Sequence, residues 1–232
     1  MKINLKLTNG TKGSQSAKRL AVALSSALGY RVLRTLKTTK RKQLCYGQGT
    51  DKIAQYKYFQ AQGLSALEFT TNTNTASEWV IDGHTVIGRK LLSSSCGKGI
   101  VIINNSDKVP NLPVYTKYKK KKREFRVHVF KDKVVAIVEK KLRSDWTGPR
   151  DTKIRNLANG YVFCQAPMDI PQGIEELAIA AGKAVVSDFK GVDIGYNEKD
   201  NCLFIIEVNS APGMQGSNVD AYVKTIVNLL NG

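Results

Sequence analysis

Three oxygen-bearing side chains lie in two short runs near the C-terminal end: Asp193 in GVDIGY, residues 191–196, and Glu207 and Asn209 in FIIEVNS, residues 204–210. Both runs read as strands, and alternation along the second puts Glu207 and Asn209 on one face with Phe204, Ile206 and Val208 on the other. The turn between them, residues 197–201, counts five. An odd turn sets Asp193 across from Ile205 and diagonal to Glu207, roughly 7–8 Å away between backbones, within reach of a shared ion. An even turn would put Asp193 on the opposite face. Two carboxylates and an amide oxygen are hard ligands suited to Mg²⁺, an ion that commonly binds together with substrate phosphates. A polar hairpin face is more often just solvated, so the remaining elements must decide.

The chain has 232 residues, 42% of them hydrophobic, enough for one large domain or two lobes with buried cores. No run approaches a membrane span and the start lacks the apolar stretch of a signal peptide, so a cytoplasmic protein is expected. Cys45, Cys96, Cys164 and Cys202 form no CxxC pair, which argues against a zinc cluster or a disulfide scaffold. Thirty-six Lys and Arg against nineteen Asp and Glu give +17, a balance that favours an anionic partner: nucleic acid, an acidic peptide or polyphosphate. The cations concentrate in residues 31–42 (RVLRTLKTTKRK) and 117–123 (KYKKKKR), each of which also reads as a solvated loop.

A strand at residues 3–7 and a helix carried by Leu20, Leu24 and Leu28 precede a second, capped helix at 51–62. Strands follow at 67–70, 78–81, 85–92, 100–104 and 112–118, then at 124–130, 133–141 and 161–165, at the spacing of antiparallel sheets, with KDK a tight hairpin turn. Helices at 175–187 and 218–230 complete an α+β class without strict βαβ alternation.

SSSCGKG, residues 93–99, joins two strands, and its glycines would let backbone N–H groups approach a phosphate. It is neither a Walker A loop nor GxGxxG. Lys90 enters that loop and Lys52 opens the second helix; converging, the two would neutralise phosphates. Arg126 alternates with Phe125, Val127 and Val129 and so shares a face with Glu124 and His128, while Arg155 and Asn156 stand in KIRNLANG. Arginine suits a phosphate or carboxylate because its planar fork binds two oxygens. His84 and His128 are the only histidines, and no nucleophile elbow accompanies them. His128 reads as a satisfied strand residue.

With GRKLLSSSCGKGIVI, REFRVHVF, KIRNLANG, DFKGVDIGY and FIIEVNSAPG in this order, residues 50–215 resemble the ATP-grasp carboxylate–amine ligases, nearest to the ribosomal-protein glutamate ligase branch and its short, phage-type members. The resemblance implies two α/β lobes with antiparallel sheets clasping ATP: an abbreviated N-terminal segment at 1–48, a small lobe with the phosphate loop at 49–112, and a large lobe with the metal site at 113–232. It implies that Asp193, Glu207 and Asn209 are magnesium ligands, for two ions with Mn²⁺ as a substitute. Lys52 and Lys90 would hold ATP phosphates, with Ser94, Ser95, Gly97 and Gly99 in the lid. Tyr115, Thr116, Lys117 and Tyr118 would read adenine through their backbone, although YTKY replaces the commoner acidic pattern. Arg126, Arg155 and Asn156 would face the reacting phosphate and substrate. The insertion LRSDWTGPRDTK, residues 142–153, would supply part of the substrate pocket.

The implied function is ATP-dependent amide or peptide bond formation between a carboxylate and an amine through an acyl phosphate, releasing ADP and phosphate. Small-molecule or peptide substrates are expected, an acidic peptide among them. Charge motivates two alternatives: a nucleic-acid-binding protein with a degenerate ATP-grasp shell, and a ligase whose acidic or nucleic-acid-linked substrate docks on residues 119–123. A polynucleotide-type ligase would need a KxDG segment, and the chain has none.

Overall fold

The computed structural model describes residues 2–92, 99–104, 108–165 and 169–231. The described residues form three sheets. The first is parallel, in the order β2-β1-β3, formed by β1 (Ile3–Leu7), β2 (Arg34–Thr35) and β3 (Lys42–Tyr46). The return from β1 to β2 runs through α1 (Gln15–Leu28), which starts where the Ser14 side chain accepts the Ala17 N–H and ends at Gly29, whose φ of 68° closes the helix. β2 and β3 were not expected. β2 lies within the basic run and β3 begins at its last residue, where cations mask the strand signal.

The second sheet, antiparallel in the order β4-β7-β5-β6, comprises β4 (Phe69–Thr70), β5 (Val86–Arg89), β6 (Ile100–Ile103) and β7 (Val114–Lys117). The expected strand at 78–81 is instead the last part of α3 (Thr73–Ile81). Asn72 decides this, because its side chain accepts from the N–H groups of Asn74 and Thr75 and so starts a helix whose Ala76 and Val80 pack into the core of this lobe. The expected lobe boundary at residue 112 falls before β7, which pairs with β4 and β5.

The third sheet, antiparallel in the order β10-β9-β8-β11-β12, holds β8 (Arg123–Phe130), β9 (Lys133–Leu142), β10 (Tyr161–Gln165), β11 (Phe189–Asn197) and β12 (Cys202–Asn209). On one face Phe125, Val127, Val192, Ile194 and Val208 pack with Ala178 and Ala181 of α4 (Ile174–Gly182). The same core takes Tyr56 and Phe59 from α2 (Lys52–Ala61), so α2 packs with the large lobe. Gln55 binds both backbone groups of Val208 on the edge strand β12: its Nε2 donates to the carbonyl at 3.1 Å and its Oε1 accepts the N–H at 3.0 Å. A third core joins the parallel sheet and α1 to Phe130, Phe189 and Tyr222, the last from α5 (Ser217–Asn231). No helix among the described residues is long and apolar enough to cross a membrane.

His128 is buried beneath α5, its Nδ1 3.3 Å from the Tyr222 hydroxyl, which matches the satisfied strand residue expected. Burial, and then the Arg126 charge, push its pKa down to about 4. The folded protein therefore binds this proton less readily than the unfolded chain. His128 thus contributes stability above about pH 6.5 that is lost as pH falls toward 4, about 3 kcal/mol in all. In His128→Leu, urea unfolding across this window should lose that part of its pH dependence.

Candidate active site

The remaining face of the large sheet gathers charge. Register places Asp193 directly opposite Arg126 on one side and Glu207 on the other. Lys140 and Phe163 pair with each other on the neighbouring strands. The expected diagonal between Asp193 and Glu207 is thus replaced by direct pairing. Asn197 pairs with Cys202, so the turn between them is even, and without correction Asp193 would face Ile206. A β-bulge between Asp193 and Ile194 shifts the register by one and restores Glu207 to the side of Asp193. The extra residue is Ile206, whose carbonyl accepts from the Tyr56 hydroxyl of α2 at 3.1 Å.

Arg126 holds Asp193 with two bonds, Nε to Oδ1 at 2.7 Å and Nη2 to Oδ2 at 2.8 Å. Burial alone would lower the Arg126 pKa, but Asp193 outweighs it and holds the guanidinium above its ordinary value. The guanidinium stacks over Phe163 at 4.3 Å, and Lys140 lies over the same ring at 5.2 Å while pairing with Glu124. Burial pulls the Lys140 ammonium down, and Glu124 with Asp193 raises it overall.

Glu207 is the other centre. Lys52 from the first turn of α2 stands 3.0 Å from its Oε2, and Arg89 from β5 3.3 Å. Asn209 Nδ2 donates to Oε1 at 3.1 Å, which leaves the Asn209 carbonyl oxygen as its free donor atom toward a cation. Burial would raise the Glu207 carboxyl, yet Lys52 and Arg89 hold it far below the usual carboxylate range. One carboxylate thereby ties α2, the small lobe and the large sheet together.

Arg89 is a site residue that sequence reasoning missed. Val86 and Gly88 face the small-lobe core, Gly88 against Leu112 and Tyr115, so alternation aims Arg89 at the cleft, while Lys90 is exposed at the strand end with its N–H bonded to Gly99. The Nε of Arg89 is buried with no hydrogen-bond partner among the described residues. Lys140 and Phe163 were also missed, and cross-strand register would have found them; Glu124, which alternation placed on the Arg126 face, was not singled out as a site residue.

The structure does not bring the other expected residues into this cluster of contacts. Arg155 donates to the carbonyls of Lys121 and Lys122 at 2.9 and 3.1 Å, and Asn156 caps the turn at Leu157–Asn159. Tyr115 is buried in the small-lobe core and Thr116 is buried beside it, with Lys117 paired to Glu68. The backbone of Tyr115, Thr116 and Lys117 is committed to β4 and β5, and the Tyr118 N–H to Thr85. Ser94, Ser95 and Gly97 lie outside the described residues; Gly99 closes the hairpin with φ 75°.

Residues 119–123 are not a free docking run. Lys119 reaches Cys202 and the Phe204 ring, Lys122 pairs with Glu198, and Arg123 forms a two-bond pair with Glu139 as well as an ion pair with Asp169. Burial first, against the attraction of Glu124, lowers the Lys121 ammonium below its usual value. A cleft of about 690 Å³ lies between Ile102 of β6 and the insertion, lined by Trp146, Arg150, Asp151 and Lys153, and Lys121 donates to the Lys153 carbonyl at 3.1 Å.

A metal fits the donor set of Asp193, Glu207 and Asn209: all oxygen, on adjoining strands and one face. No group of three His, Cys, Asp or Glu that could hold an ion occurs among the described residues, so the amide is an essential member of such a set.

Residues 74–231 match the RimK-like ATP-grasp domain. The chain belongs to this family, and with it to the ATP-grasp carboxylate–amine ligases. Solved structures share the fold across nearly their whole length. PsnB, an ATP-grasp ligase complexed with a minimal precursor, superposes with a TM-score of 0.69 at 9% identity, covering 97% of this chain and 98% of that one. The D-alanine–D-alanine ligase of Bacillus anthracis complexed with ATP gives 0.63 at 14%, covering 99% and 98%. A Chryseobacterium gregarium RiPP-associated ATP-grasp ligase, in complex with ADP and a leader and core peptide, gives 0.61 at 13%, covering 99% and 97%. No curated protein sequence matches the chain.

Removing the Glu207 charge would leave Lys52 and Arg89 buried and uncompensated. Glu207→Gln should destabilise the protein by about 3–5 kcal/mol in chemical denaturation.

Proposed function

We propose that the protein joins a carboxylate to an amine at the expense of ATP, through an acyl phosphate, with release of ADP and phosphate. The observation that carries this reading is the direct pairing of Asp193 with Glu207, each held by cations from different elements. A carboxylate does not condense with an amine near neutrality because its oxygen is a poor leaving group. Attack of that oxygen on the γ-phosphorus breaks the bond to ADP and forms a mixed anhydride. The amine then adds to the acyl carbon, phosphate departs with the C–O electron pair, and the amine gives up its proton.

Lys52, Arg89, Arg126 and Lys140 stand among Glu124, Asp193 and Glu207, so each cation has a carboxylate to rest on before phosphates arrive. When the triphosphate binds, Lys52 and Arg89 exchange a carboxylate oxygen for phosphate oxygens, and the unpaired Nε of Arg89 gains an acceptor. Asp193, Glu207 and Asn209 would hold magnesium, two ions in our reading with manganese as a substitute, whose positive charge neutralises the phosphates during transfer. Arg126, stacked on Phe163 and doubly bonded to Asp193, enters the reaction already oriented. Lys90 and Arg155 would reach phosphate or substrate from outside this cluster.

The substrate takes the 690 Å³ cleft beside the insertion, where Arg150 and Lys153 suit the carboxylate of a peptide or small acid. Relatives seen with precursor or core peptides support the peptide class.

ADP release should depend on both an acid and an amine, and Asp193→Asn and Glu207→Gln should abolish it at temperatures where circular dichroism shows them folded. Release of AMP by the wild-type protein would overturn the reading. Arg89→Ala should lose about a hundredfold in kcat/KM and Lys90→Ala far less. Arg150→Ala should raise KM for the acid about tenfold with kcat little changed.

A further inference from the structure

The surplus charge has an address. All nineteen Asp and Glu lie at or beyond Asp51, so the first fifty residues hold eleven Lys and Arg and no carboxylate at all. No ion pair among the described residues involves a cation before Lys52. The second basic run, by contrast, is largely spent on internal partners.

The first run is also held in place. The loop leaving β2 folds back over the parallel sheet: Asn4 donates to Thr39 at 3.3 Å, Lys6 to Thr38 at 3.3 Å, and Gln43 to the Lys37 carbonyl at 2.9 Å. At one end Lys2 and Arg41 both lie over the Tyr30 ring, and Arg41 donates to the Arg31 carbonyl at 3.1 Å. Arg34, Lys37, Lys40 and Lys42 remain exposed, with the Thr38 hydroxyl exposed among them.

We propose that this N-terminal platform, formed by β1, β2, β3 and the loop after β2, binds the phosphodiester backbone of nucleic acid, independently of the ligase site. A phosphodiester only accepts hydrogen bonds, and the platform's own side chains offer cationic and hydroxyl donors and include no carboxylate; Asp188, which packs against β3 from outside it, has its carboxylate engaged by the Cys45 N–H at 2.7 Å. An acidic peptide would dock on an open strand edge, but the two residues of β2 are too short a strand to pair with it, and on β3, the other edge, Asp188 takes both backbone groups of Cys45. Absence of carboxylates from the whole unit, rather than from one pocket, is what a long polyanion requires. Phosphate contacts alone carry no base readout, so binding is insensitive to sequence.

Fluorescence anisotropy with labelled single-stranded RNA, single-stranded DNA and duplex DNA of about 20 units tests this, with a polyglutamate peptide of equal length as competitor. Binding should weaken steeply with salt for at least one nucleic acid. The triple variant Arg34→Ala, Lys37→Ala, Lys40→Ala should bind about tenfold more weakly and lower the log–log salt slope by about 2 to 3. Lys120→Ala with Lys122→Ala should leave the slope unchanged, and the triple variant should keep wild-type ADP formation. Equal competition by polyglutamate, an unchanged slope in the triple variant, or no binding at low salt to any of the nucleic acids would overturn the proposal. Loss of ADP formation in Asp193→Asn with nucleic-acid binding retained would separate the two sites.

Discussion

Two acidic side chains on neighbouring strands repel each other, and a protein that places them side by side must surround them with positive charge. Here Arg126 attends Asp193, and Lys52 with Arg89 attends Glu207. These attendants come from β8, α2 and β5, so satisfying the two acids fixes how a helix and both lobes meet. Fold and chemistry share one constraint: the groups that hold the lobes together are the ones that would meet the triphosphate.

The arrangement depends on a single inserted residue. An even turn would send Asp193 and Glu207 to opposite faces, and the bulge at Ile206 cancels that parity. Tyr56 takes the carbonyl of the inserted residue and Gln55 takes both backbone groups of Val208, two residues on, so α2 stabilises the irregularity as well as supplying Lys52.

Much of this was legible in the sequence. Period-2 alternation located most strands, and the ordered motifs picked out Asp193, Glu207, Asn209 and Arg126, which the structure brings onto one face. The rest failed for identifiable reasons. Residues 78–81 carry strand-like composition, and only the cap at Asn72 shows that they end a helix. Arg89 was missed beside Lys90 because only the packing of Gly88 against Leu112 shows that Arg89 turns inward. Pairing register cannot be read from a turn count when a bulge intervenes. Nor does a charge run reveal whether its cations are spoken for: residues 119–123 and 31–42 look alike as text, yet carboxylates hold Lys121, Lys122 and Arg123, while among the described residues no ion pair involves a cation of the earlier run.

The way Gln55 engages Val208 has a consequence for how molecules behave in crowded solution. β12 is the outermost strand of the large sheet, and such a border normally exposes amides that can recruit a strand from another molecule. Gln55 and Tyr56 occupy the groups near its far end, and residues 65–67 occupy both backbone groups of Ile205 nearer its start. The border is therefore plugged from within, which guards a hydrophobic, β-rich segment against growing into fibrils.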